Sequence, residues 1–186
     1  LKRRGIAGMI FVFKVAGAIA ETGAPLEDIF NSASETNNNI RTLGVALSPC
    51  ILPEAGKPTF EINDDEIEIG MGIHGEPGIK REKLRNADPL IDDLCAKILA
   101  DFKLIDKNQV SIMINSLGAT PLEELYIVSK RVHENFSKLK IEIIKSYVGR
   151  YATSMEMAGM SITVFKLDNK LKKFLLTESN CPFWSN

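Results

Sequence analysis

Apolar residues crowd the first twenty positions with few polar interruptions. Residues 6–21, IAGMIFVFKVAGAIAE, read as one buried helix, on which Gly8, Ala16, Gly17 and Ala20 would let another element come close to the backbone. Gly23 ends this helix and Pro25 starts a second, running through about Asn38. The NNN run at 37–39 suits a C-terminal turn, because Asn tolerates left-handed backbone. TLGVALSPCIL then reads as a short apolar strand leading into a loop with Pro49, Pro53, Gly56 and Pro58. FEINDDEIEIG suggests two short strands about an Asn-Asp-Asp turn. In it Ile67 and Ile69 face inward, while Glu66 and Glu68 lie on a solvated face.

Asp88-Pro89 has the form of an N-cap followed by a first helical proline. Leu90, Ile91, Leu94, Cys95, Ile98, Leu99 and Phe102 then make one apolar stripe at helical spacing. QVSIMINSLGATP predicts a buried strand entering a tight loop, and Thr120-Pro121-Leu122-Glu123 carries a capping-box pattern. The buried seam of the helix it opens is Leu122, Leu125, Val132, Phe136 and Leu139. KIEIIKSYVGRYA, MSITVFKL and KKFLLT complete the chain as expected strands. Interleaved helices and strands of this kind predict an α/β fold, a mixed sheet packed with helices. With no internal repeat and no long linker, residues 1–186 are expected to form a single domain.

Composition narrows the function classes. Hydrophobic residues at 45% and charged residues at 25% are globular values. A net charge of -1 provides no overall attraction to nucleic acid or to an anionic membrane, and the one dense basic run is Lys2-Arg3-Arg4. Cys50, Cys95 and Cys181 are widely spaced and odd in number, which fits free thiols in a reducing, cytoplasmic compartment. The amino-terminal stretch imitates a signal peptide, but Lys14 interrupts it and the apolar run at 6–20 is too short to span a bilayer comfortably. The chain starts with Leu, so a piece of a longer polypeptide is expected.

Candidate chemistry centres on GMGIHGEPG, where His74 is surrounded by Gly70, Gly72, Gly75 and Gly78, with Glu76 and Pro77 behind it. Glycines clear the space around an imidazole, and Pro77 restricts the loop that carries it. A free imidazole titrates near about 6.5, so a neutral ring able to act as base or nucleophile is available at neutral pH. The same pattern also suits a plain glycine-rich turn whose histidine only hydrogen-bonds the backbone. No second histidine or cysteine lies nearby for a metal, and no Lys-Ser/Thr follows for a phosphate loop.

GMGIHGEPGI resembles the signature of the substrate-binding subunit of dihydroxyacetone kinases, the DhaK family. RRGIAGMIFVFKVAGA, LGVALSPCILPEAGKPTF, NSLGATPLEELY and YATSMEMAGMSIT resemble that family's second half, in the family's order. The resemblance implies the second, C-terminal domain of that subunit. It implies that His74 holds dihydroxyacetone as a covalent hemiaminal, supported by Gly72, Gly75, Glu76, Pro77 and Gly78. It further implies a glycerone kinase component with several partners: the upstream half of the subunit, a nucleotide-binding subunit or domain that carries nucleotide and magnesium, and a second copy of itself. This chain is expected to bind no cofactor or metal, and to have no nucleic acid or membrane partner.

Other parts of the family's machinery, a second histidine and an aspartate, belong to its first half. The remaining histidine, His133 in SKRVHENFSK, is expected on a solvated helix face. The fragment alone is therefore expected to be inactive. A second implied reading is a kinase-like coactivator that senses dihydroxyacetone for a transcriptional regulator, and a third is an interaction domain whose loop binds nothing. The 115–121 loop precedes a helix N-terminus, which favours anions, but equally suits a simple strand-to-helix connection.

Overall fold

The computed structural model describes residues 3–54, 56–74 and 76–185. A 3-10 turn at Ile6–Gly8 leads into α1 (Met9–Ala20) and α2 (Leu26–Asn38). These are followed by β1 (Ile40–Ala46), β2 (Glu66–Ile69), β3 (Lys80–Lys83) and α3 (Ala87–Phe102). Then come β4 (Gln109–Ser116), α4 (Leu122–Lys138), β5 (Glu142–Gly149), β6 (Gly159–Leu167) and α5 (Asn169–Leu175). A small hairpin of β7 (Asn180–Cys181) and β8 (Trp184–Ser185) closes the described chain.

The main sheet has the order β3-β2-β1-β6-β4-β5. β4 and β5 are parallel, joined through α4, and the other pairs are antiparallel. This is the mixed α/β architecture expected from the alternation of periods. β4 is buried along nearly its whole length because each face of the sheet carries a core. Val110, Ile112 and Ile114 face α3 and α4, whereas Met113 faces the α1 side. On that second side Phe11 packs on Phe165 and Tyr147, and Trp184 stacks on Tyr147 at 4.2 Å. α2 packs on α1 as an outer layer.

Several local expectations are corrected. Ile6 takes a φ of 45°, which an α-helix does not contain, so the first helix begins at Met9. Gly8 does allow close approach: a Cβ there would lie 2.9 Å from Thr42 Oγ1. Gly17, by contrast, faces open space. Asn39 has a φ of -95°, so α2 ends without left-handed backbone. Residues 60–62 form no strand; β2 pairs instead with the unanticipated β3, whose charged KREK has no apolar alternation.

Helix caps also differ. Asn86, not Asp88, precedes α3, and no side chain caps it by a hydrogen bond. Thr120 does not cap α4; its hydroxyl accepts a 2.8 Å hydrogen bond from the Gly159 amide and ties the loop to the sheet. Leu125, Val132 and Phe136 are buried as expected, but Leu122 and Leu139, at the helix ends, are about half exposed. KKFLLT is helical rather than extended, because Asp168 Oδ1 accepts from the Leu171 amide at 2.7 Å and Leu171 and Leu175 bury one helical face. Among the described residues, no helix is long and apolar enough to cross a membrane.

Candidate functional site

His74 lies on the connection between β2 and β3. Gly70, with a φ of 79°, turns the chain out of β2 while its amide bonds the Gly44 carbonyl at 2.7 Å. Met71 then enters the α1-side core and anchors the ascending limb. The Gly72 amide donates to the Glu76 carbonyl at 3.0 Å, closing a tight turn that holds His74 at its tip. Pro77 accepts through its carbonyl from Arg4 Nη2 at 3.3 Å. The Gly78 amide donates to Glu68 Oε1 at 2.6 Å on the returning limb. Gly75 lies outside the described residues.

The space a side chain would need is occupied at two of these glycines. A Cβ on Gly72 would overlap the Glu76 carboxylate. A Cβ on Gly78 would lie 2.6 Å from the Ile69 carbonyl oxygen and 2.6 Å from Glu68 Cγ. At Gly78 the backbone runs too close to its neighbour for any side chain, whereas at Gly72 the end of the Glu76 side chain occupies the space.

Glu76 closes around the histidine from both ends. Its Oε2 accepts from the His74 amide at 2.9 Å, and its Oε1 stands 3.7 Å from imidazole Nδ1. The ring itself is 78% exposed. The His74 amide and Glu76's own amide, with the charges of His74 and Arg4 adding to them, hold the Glu76 carboxyl below the usual carboxylate range. An ionised carboxylate beside Nδ1 favours the tautomer protonated there, which leaves the Nε2 lone pair free.

Glu68 corrects the sequence reading of a solvated strand face. Its side chain is 7% exposed and bonds Arg81 Nη2 at 3.0 Å as well as the Gly78 amide. Alternation placed it outward, but β3 and the returning loop cover that face and supply both partners. Arg4 likewise belongs to the loop, while Arg3 pairs with Asp101. The expected basic run is thus divided between two partners, and Lys2 lies outside the described residues.

Other segments converge on the loop from behind. Ser154 Oγ lies 2.7 Å from the Ile73 carbonyl and 3.3 Å from buried Cys50 Sγ. The 115–121 loop reaches the same segment through Leu117, whose carbonyl accepts from the Ser154 amide at 2.6 Å. Sequence reasoning gave none of Glu68, Arg4, Cys50 or Ser154 a place at the site. The one available signal was the family resemblance of the segments that hold the last three.

His133 is exposed on α4, as expected, and its Nε2 lies 2.8 Å from Ser146 Oγ. Partial burial lowers its pKa. Cys50 and Cys95 are buried free thiols and Cys181 is an exposed one. Among the described residues no group of three or more His, Cys, Asp or Glu could hold a metal ion. A cleft of about 840 Å³ borders Arg4, Gly70 and Ile79 but is not lined by His74, so this chain alone does not enclose the imidazole.

A Dak1 domain model matches residues 1–183. The chain belongs to the Dak1 domain family. It is 46% identical over 168 residues to the dihydroxyacetone-binding subunit DhaK of a PTS-dependent dihydroxyacetone kinase from Listeria innocua, covering 90% of this chain and 51% of that protein. Among solved structures, the dihydroxyacetone kinase operon co-activator DhaQ superposes with a TM-score of 0.87 at 33% identity, covering 96% of this chain and 56% of that one. The native form of the C. freundii dihydroxyacetone kinase gives a TM-score of 0.81 at 32% identity, covering 97% and 33%. The chain thus spans about half the length of the DhaK subunits it matches, and its Dak1 relatives are kinase components or a co-activator.

Proposed function

We propose that this Dak1 chain is the part of a dihydroxyacetone kinase that holds the ketose, with His74 as the covalent attachment point. The observation that carries this reading is the exposed imidazole whose Nδ1 faces the Glu76 carboxylate. Nε2 donates its lone pair to the ketone carbon, and the C–N bond forms as the carbonyl π pair moves onto oxygen. That oxygen gains a proton and Nδ1 gives one up, so the hemiaminal is neutral overall. Glu76 stabilises the positive charge that builds on the ring before the Nδ1 proton leaves.

The chemistry selects substrate by electrophile. Glycerol has no carbonyl and forms no adduct, whereas short ketoses do. Capture also fixes the terminal hydroxyl for phosphoryl transfer. The nucleotide and magnesium for that transfer come from a partner subunit or domain, and an upstream half of the subunit covers the exposed ring. This chain alone, lacking both, has no kinase activity.

A second reading rests on the likeness to the DhaQ co-activator. The same capture would then report ketose to a transcriptional regulator. Copurification with a nucleotide-binding subunit supports the kinase, and with a DNA-binding regulator the sensor.

The test of capture is intact mass of the full native polypeptide carrying this chain, after dihydroxyacetone is added and removed by desalting. The expected result is a substrate-sized adduct on the parent protein and none on His74→Ala or with glycerol. An adduct that survives His74→Ala, or tight ketose binding unaltered by that substitution, would overturn the assignment.

A further inference from the structure

We infer that Ser154 is a positioning residue for His74, acting through the carbonyl of Ile73. The inference rests on the role just proposed for His74, but its structural basis is separate. Ser154 lies far from the histidine in sequence, in the YATSMEMAG segment that the proposed chemistry leaves without a task.

The chemistry of the partner atoms fixes the direction of the shorter bond. Ser154 has one hydroxyl proton and two close neighbours, the Ile73 carbonyl oxygen at 2.7 Å and Cys50 Sγ at 3.3 Å. A carbonyl only accepts, so the hydroxyl donates to Ile73. The longer contact aims the same hydroxyl at the sulfur of Cys50, which in turn lies 3.6 Å from Thr59 Oγ1. The serine thus ties the peptide that precedes His74 to the buried Cys50 beside it.

The serine is itself held from two sides. Asn115, fully buried at the end of β4, accepts from the Tyr151 and Ala152 amides at 2.8 and 2.9 Å and donates to the Ala152 carbonyl at 2.8 Å. The Ser154 amide donates to Leu117 at 2.6 Å. A Cβ on Gly118 would overlap the Met155 carbonyl, so that glycine lets the 115–121 loop lie against the serine segment. Rigid sheet backbone is thereby connected, through Asn115 and Ser154, to an otherwise exposed loop tip. Glu76 sets the ring from the solvent side, and Ser154 sets its backbone from the core side.

The experiment compares Ser154→Ala and Ser154→Thr in the full native polypeptide carrying this chain. The readouts are the imidazole NMR signals of His74, amide exchange at His74 and Gly72, and adduct formation with dihydroxyacetone. His133 serves as an internal control, because its ring contacts Ser146 on β5. Loss of one buried hydrogen bond is worth about a factor of ten in local opening. Ser154→Ala should therefore raise exchange at His74 by about tenfold, shift its ring signals and leave those of His133 unchanged. Ser154→Thr, which keeps the hydroxyl, should restore the parent values.

Unchanged His74 signals and exchange in Ser154→Ala would overturn the inference, as would equal shifts at His133. Should Ser154→Ala fail to fold, Ser154→Cys takes its place, with a longer and weaker donor and the same two deciding results, smaller in size. A parent protein that forms no adduct at all counts against the hemiaminal reading alone, since exchange and ring signals still decide the role of Ser154.

Discussion

His74 and Glu76 are joined at both ends of the histidine: the backbone amide of His74 donates to Glu76 Oε2 at 2.9 Å, and imidazole Nδ1 stands 3.7 Å from Oε1. One carboxylate therefore bonds the backbone of the residue and stands beside its ring. Glu76→Gln keeps an amide oxygen for the backbone bond and loses the charge. Glu76→Ala loses both. Adduct formation is expected to fall in the order parent, Gln, Ala, by about tenfold at each step. Titration with dihydroxyacetone monitored by intact mass checks the order, and equal capture by all three proteins would remove Glu76 from the chemistry.

The pH dependence of loop order has a definite sign. The His74 amide first, and then Glu76's own amide, lower the folded-state pKa of Glu76 below its unfolded value of about 4.3. The contribution is complete above that unfolded value and is lost as the pH falls through the lower folded one. Amide exchange at His74, corrected for its intrinsic pH dependence, is expected to stay flat from pH 7 to about 5 and to rise steeply below about 4. A rise that begins near neutrality would point to some other group.

Gly72 and Gly78 should fail in different ways. At Gly78 an added methyl meets the Ile69 carbonyl, which is backbone and cannot swing aside. Gly78→Ala is expected to destabilise the protein by about 1–3 kcal/mol in urea unfolding. At Gly72 the obstacle is the end of the Glu76 side chain, which can move. Gly72→Ala should therefore cost less than about 1 kcal/mol yet release the carboxylate from His74 and reduce capture as Glu76→Ala does. If Gly72→Ala captured ketose normally, the proposed coupling of Glu76 to His74 would be lost.

The three thiols should react unequally. Cys181 is exposed, Cys50 is buried, and burial pushes Cys95 up to about 11. Iodoacetamide at pH 8 is expected to label Cys181 first in the native protein, with Cys50 and Cys95 following only under denaturant. Peptide mapping by mass spectrometry reads this directly. Rapid native labelling of Cys95 would contradict its place in the α3 core.

The elements with long, regular patterns were legible without coordinates. The α3 stripe from Leu90 to Phe102 and the apolar strands β4 and β6 have their periods written in consecutive residues, since burial of one face is what those periods record. β3 was not, because KREK is held by pairing with β2 rather than by burying a side of its own. KKFLLT was ambiguous for a similar reason: a short apolar run fits either period, and the Asp168 cap decides for helix.

The glycines, the histidine and the glutamate of residues 70–78 were determined by the chain alone, because their interactions are local. The Gly72 turn, the Glu76 clasp and the displayed imidazole all form within a few residues of one another. What supports that turn was settled only by tertiary structure. Glu68 is buried because β3 brings Arg81 beside it, and Ser154 reaches Ile73 because β1 pairs with both β2 and β6 in the sheet. A hydrogen bond between residues 81 positions apart leaves no period in the sequence; it exists only once strand order has brought its two ends together.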